Sequence, residues 1–147
     1  MARGATSTAA LVEALGGARA LGRVRTAADL RAKLRGGLPH ASLEAVMQRW
    51  ELGRDDVAGA LRLPARTWAR RRKTQRLDAD ESDRLVRLAR LATAASQVLG
   101  GEAKAAAWLR RPNRALGGDP PLALVDTDPG TQEVLDVLGR LAHGVVG

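Results

Sequence analysis

Apolar residues recur at helical spacing along most of the chain, and no stretch keeps the strict alternation that a half-buried strand needs. The pattern predicts an all-α fold. A first helix is expected from about Thr8 to Leu21, running through Gly16-Gly17. A second is expected near Thr26–Leu34, stopped by Gly36-Gly37 with Pro39 just beyond. Ser42 is placed to cap a third, whose Leu43, Val46, Met47 and Trp50 form an apolar stripe. The clearest start signal is Asp78, three residues before Glu81, a variant of the capping box; Leu85, Leu88, Ala92, Ala95 and Leu99 then make one stripe to a stop at Gly100-Gly101. A shorter helix, about Glu102–Leu109, should end before Pro112. Residues 112–130 hold four of the six prolines and predict an irregular connector, with one helical turn at Leu122–Val125. The last helix is expected to open at Asp128-Pro129, as N-cap and first-turn proline, and to carry the stripe Val134, Leu138, Leu141 and Val145.

The segment from Arg54 to Lys73, RDDVAGALRLPARTWARRRK, fits a helix-turn-helix. Val57, Ala58 and Leu61 would face inward on its first helix, with Ala58 small where the two helices approach. Leu63 would lie in the turn and Trp68 would be the inward residue of the second helix. Pro64 suits a first helical position. Arg66, Thr67, Arg70 and Arg71 would then face outward, with Arg72 and Lys73 at the helix end. A recognition helix enters the major groove in this way, its first residues reaching base edges and its flanking cations reaching phosphates. Two positions depart from the usual pattern: Arg62 stands where glycine is common, and Arg71, a charge, falls at an inward position. Trp68 is read as core that sets the angle of the recognition helix, the alternative being a wedge between bases. Arg62 and Arg76 are read as phosphate or solvent residues.

Composition narrows the function classes. In 147 residues there are three Trp and no Phe, Tyr or Cys. Recognition of bases by an aromatic-studded sheet is excluded, as are disulfides, thiolate metal sites and cysteine nucleophiles. Two His, at 40 and 143, are too few for a His-rich metal site. Apolar runs are too short to span a bilayer and the N-terminus has no signal-like stretch, so a cytoplasmic, non-enzymatic protein without cofactor or metal is expected. The net charge of +8 is unevenly placed. Residues 62–76 carry seven cations (Arg62, Arg66, Arg70, Arg71, Arg72, Lys73, Arg76) and no acid, whereas residues 97–147 hold five basic against six acidic side chains. Such a cationic block is relieved of self-repulsion by a polyanion, and the coincidence with the helix-turn-helix pattern points to DNA.

The C-terminal third, read alone, is a mildly acidic helical unit. Trp108 is expected to close over Leu116 and Leu122, Asp126 and Asp128 to act as caps, and His143 to sit at a helix C-terminus where the dipole favours it.

Five pieces carry a family resemblance: GLPHASLE at 37–44, RTWARRRKTQRL at 66–77, ESDRLVRLARL at 81–91, WLRRPNRALGG at 108–118 and LGRLAHGV at 138–145. In this order they resemble the antitoxins of the Xre/MbcA/ParS group, which pair with RES-domain toxins in bacterial type II toxin–antitoxin operons. The resemblance covers roughly residues 37–146. It implies a homodimeric repressor within a larger toxin–antitoxin complex: an N-terminal helical extension at 1–37, an Xre-like DNA-binding and dimerisation domain at 38–97, and a toxin-binding domain at 98–147. The partner toxin would consume NAD, with the antitoxin blocking its nucleotide pocket, and operator DNA of the same operon would be the second partner. The toxin contact is assigned to Asn113, Arg114, Leu116, Arg140, His143, Val145, Val146 and Gly147. In this reading the last helix docks, and Val145, Val146 and Gly147 reach the mouth of the nucleotide site, where a terminal carboxylate could meet the cations that bind phosphate. The alternative is that Val145 and Val146 only complete the chain's own core. A stand-alone transcription regulator with a ligand- or protein-sensing C-terminal domain is the other function consistent with the residues.

Overall fold

The computed structural model describes residues 6–144, and Val145, Val146 and Gly147 lie outside them. The described chain is helical, with one isolated bridge in place of any sheet. Nine α-helices follow in order: α1 (Thr8–Ala14), α2 (Gly17–Leu21), α3 (Ala27–Gly36), α4 (His40–Arg49), α5 (Arg54–Leu61), α6 (Ala65–Thr74), α7 (Ala79–Leu99), α8 (Glu102–Arg110) and α9 (Asp128–Ala142). Two 3-10 turns, Arg114–Leu116 and Pro121–Leu124, lie between α8 and α9.

Local chemistry sets these limits. The single first helix expected from the sequence is broken: Gly16 and Gly17 take φ of 105° and 66°, left-handed values that glycine tolerates and a continuous helix excludes. α3 begins with a full capping box, Thr26 Oγ1 accepting from the Asp29 N–H and Asp29 accepting from the Thr26 N–H. α4 starts three residues earlier than expected. Pro39 is its N-cap, and Ser42, which the sequence suggested as the cap, is a buried helical residue. Pro64 likewise stands just outside α6 as its N-cap, and Thr127, not Asp128, caps α9 by accepting from the Gly130 N–H at 3.0 Å.

α7 is the axis of the molecule. It packs against α1, α3, α5, α8 and α9. The stripe read from the sequence covers only part of what it buries, because Val86, Ala89, Leu91 and Ala94 are also withdrawn from solvent. Its start is the Asp78–Glu81 capping box, made reciprocally at 2.8 and 2.9 Å. The buried apolar residues from Leu11 to Leu138 form one cluster, so both halves of the chain share one core. The indole N–H of Trp50, at the end of α4, donates to Ser96 Oγ on α7 at 2.8 Å inside that core.

The end of α5 shows why position 62 commonly takes glycine. The Leu63 N–H reaches Ala58 O and the Arg62 N–H reaches Gly59 O, which places Arg62 in the left-handed region at φ 55°. Arg62→Gly is therefore expected to raise the stability by about 0.5–1 kcal/mol, the left-handed cost of a side chain less the entropy glycine adds to the unfolded chain. A urea midpoint that stays or falls would contradict it.

Candidate functional site

α5 and α6 form the helix-turn-helix, and their inner residues hold it on the core. Val57, Leu61, Leu63 and Trp68 are buried, and Ala58, expected at the point of closest approach, is only half-buried, its neighbour Ala60 being the fully enclosed one. Trp68 packs as core, with the Arg54 guanidinium 5.2 Å above its ring. Its burial leaves no ring surface to wedge between bases.

The other face of α6 is cationic. Arg66, Arg70, Arg72 and Lys73 are exposed and Thr67 is half-buried at their edge. None of these four cations makes an ion pair among the described residues. Arg71 is different. Its Nε donates to Glu81 Oε1 at 2.7 Å and its Nη2 to Glu81 Oε2 at 3.1 Å and Asp78 Oδ2 at 3.2 Å. The outward position expected for Arg71 is thus corrected: the side chain turns back onto the start of α7, because the Glu81 carboxylate is only 7% exposed and needs a bidentate partner. The hydrogen bond to Glu81 raises the Arg71 pKa above its ordinary value against the opposing effect of burial. Arg76 stays exposed and donates to Gly36 O at 3.1 Å and Gly37 O at 3.4 Å at the end of α3.

At the other end of the molecule, the loop after α8 is organised by Asn113. Its Oδ1 accepts from the Ala115 N–H at 3.0 Å, and its backbone pairs with Asp119, Leu116 and Gly118. This loop packs on α9. Arg114, Arg140 and His143 are exposed, and His143 caps the C-terminus of α9. Leu116 is 6% exposed, so its assignment to a partner contact is corrected: its side chain belongs to the core under the loop. Trp108 is half-buried against the same core. Leu141, in the last turn of α9, is 40% exposed and is the one large apolar side chain that stands out into solvent among the described residues.

Several contacts had no legible signal in the sequence. Arg110 on α8 donates to Asp56 Oδ2 at 3.1 Å and to Glu51 O at 2.6 Å, fastening α8 to the start of α5. Beside it lies a cleft of about 490 Å³ lined by Asp55, Asp56, Gly59, Arg110, Leu122 and Ala123. The partners are more than 50 positions apart, a distance no local pattern bridges. No cluster of metal-ligating side chains occurs among the described residues, and no helix there is long and apolar enough to cross a membrane.

Comparison with known proteins matches both ends of this layout. Residues 29–90 match the model of the antitoxin Xre-like helix-turn-helix domain, and residues 94–144 match that of the antitoxin Xre/MbcA/ParS C-terminal toxin-binding domain. The chain is 33% identical over 119 residues to an antitoxin Xre of Photorhabdus laumondii, covering 80% of each protein. It is 38% identical over 92 residues to an antitoxin Xre of Yersinia enterocolitica, covering 61% of this chain and 62% of the relative. It is 37% identical over 83 residues to an antitoxin Xre of Pseudomonas putida, covering 56% and 52% respectively. An arginine-faced helix-turn-helix joined through α7 to a helical end of the toxin-binding type thus places the chain in the Xre family of antitoxins.

Proposed function

We propose that this chain is the antitoxin of a type II toxin–antitoxin operon in the bacterial cytoplasm, that it neutralises a RES-domain toxin which consumes NAD, and that it represses its own operon. The observation that carries the reading is the pairing, on one rigid core, of an exposed cationic recognition helix with an α9 end that presents Leu141 to solvent between Arg140 and His143. A solvent-facing leucine flanked by polar groups is the composition of a docking centre with a polar rim.

In the DNA half, Thr67 and Arg66 stand at the N-terminal end of α6, where a recognition helix meets base edges; Arg70, Arg72 and Lys73 follow where phosphates pass. A homodimer would set two such helices on half-sites about one turn of duplex apart. In the toxin half, α9 and the loop of Asn113 and Arg114 would cover the nucleotide pocket and exclude NAD sterically. The protein itself then needs no cofactor and performs no reaction.

Two variants separate the halves. Arg70→Ala with Arg72→Ala is expected to weaken binding to promoter duplex and to make the slope of log Kobs against log salt shallower by about 1.8, while inhibition of NAD consumption by the paired toxin persists. Leu141→Asp is expected to do the reverse, losing at least about 1–2 kcal/mol of toxin affinity with DNA binding intact. If both variants lose both activities, the two-sided reading is wrong. If the wild-type protein holds DNA but leaves the co-expressed toxin active, the chain is a free-standing regulator.

A further inference from the structure

The C-terminal end of α3 is sewn to the C-terminal end of α6. The His40 N–H donates to Gln75 O at 2.9 Å and the Leu77 N–H to Leu38 O at 2.9 Å, forming an antiparallel bridge between Pro39 and Arg76. The Leu38 N–H adds a bond to Ser82 Oγ at 2.7 Å. Gly37, at φ 88°, lets Leu77 O pass where any Cβ would collide with it. The two helix ends therefore move as one body.

α3 brings three exposed cations to this joint, Arg31, Lys33 and Arg35. None of them makes an ion pair among the described residues. The acid of α3, Asp29, is held in its own capping box by the Thr26 and Arg25 N–H groups. Arg31 and Arg35, four residues apart, share one exposed face of α3, and Arg35 directly precedes Gly36. A helix C-terminus would ordinarily repel a phosphate, since its free carbonyls are the negative end of the dipole. Here Arg76 covers two of those carbonyls, on Gly36 and Gly37. The cations next to them are left to act outward.

We infer that Arg31 and Arg35 extend the DNA-binding surface beyond the helix-turn-helix, contacting backbone phosphates next to those met by the end of α6. The inference rests on the reading of α6 as a DNA-binding helix and goes beyond it: the footprint includes a helix that does not belong to the two-helix motif, fixed to it by backbone pairing. Such contacts carry no sequence information and act by counterion release.

The test is a salt titration of the full-length protein on a mixed-sequence duplex of about 30 base pairs, comparing wild type with Arg31→Ala/Arg35→Ala and with Arg31→Gln/Arg35→Gln. Both double variants are expected to bind about 10-fold more weakly at low salt and to show a slope shallower by about 1.8, with toxin inhibition and thermal midpoint close to wild type. An unchanged slope in correctly folded variants overturns the inference while leaving the α6 reading intact. Loss of toxin inhibition with an unchanged slope also overturns it and assigns the patch to an acidic protein surface. Failure of the wild-type protein to bind duplex at low salt removes the α6 reading as well.

Discussion

Trp50→Ala is expected to cost about 3–5 kcal/mol and to lower DNA binding and toxin inhibition together at growth temperature. Trp50 is 1% exposed, is the largest fully buried side chain, and ends α4 against α7. Truncation leaves a cavity that neighbouring helices cannot close without moving their backbones, and it removes the indole N–H from Ser96 Oγ. A domain of this size holds about 5–15 kcal/mol in total, so the loss is a large share. Both activities should fall because the recognition helix and α9 are carried by the same α7, and loosening that helix displaces both. Trp50→Phe keeps most of the apolar volume and loses the donor, and should cost about 1–2 kcal/mol. Urea unfolding followed by far-UV circular dichroism reads the difference. An alanine variant within about 1 kcal/mol of wild type would mean that Trp50 is not central to the packing.

Most of the helical frame was readable from spacing and caps, because those signals are local. Asp78 and Glu81 lie three residues apart, and the helix they start runs to Gly100 as expected. The break at Gly16-Gly17 was not foreseen, since a helical pattern of apolar residues continues across it and only the backbone angles reveal the turn. Near residue 127 three candidate caps follow one another, and Thr127 prevails because its hydroxyl reaches the Gly130 N–H while Pro129 takes a first-turn place. The central position of α7 also has a signal in the sequence: apart from Arg87 and Arg90, the run from Leu85 to Ser96 is apolar or small at every position, as a helix covered on several sides requires. The site was less legible than the fold. Charge told which segment is cationic, yet the direction of each arginine depends on partners far along the chain. Arg71 is turned inward by Glu81, and Arg76, still exposed, is tied to the carbonyls of α3, whereas the side chains of Arg70 and Arg72, beside them in sequence, are held by neither.

Arg71→Ala is expected to destabilise the protein by about 3 kcal/mol and to weaken DNA binding without changing its salt slope. The cause is the carboxylate left behind. Glu81 would stay buried with only the Asp78 N–H as a partner, and removing one member of an enclosed ion pair costs more than the pair contributes. The same pair fixes the tilt of α6 on α7, so the four outward cations would meet the duplex in poorer register although their number is unchanged. A direct phosphate contact behaves differently, since its loss makes the salt slope shallower by about 0.9. The double variant Arg71→Met/Glu81→Leu separates position from contact. It replaces the ion pair by apolar volume and should recover the stability except for about 1 kcal/mol of lost capping, because Glu81 also closes the Asp78 box. DNA affinity should return with it if Arg71 acts by holding the helix. If affinity stays low and the slope shallow in the stable double variant, Arg71 reaches the phosphates itself when DNA is bound, and the pairing with Glu81 is exchanged on binding.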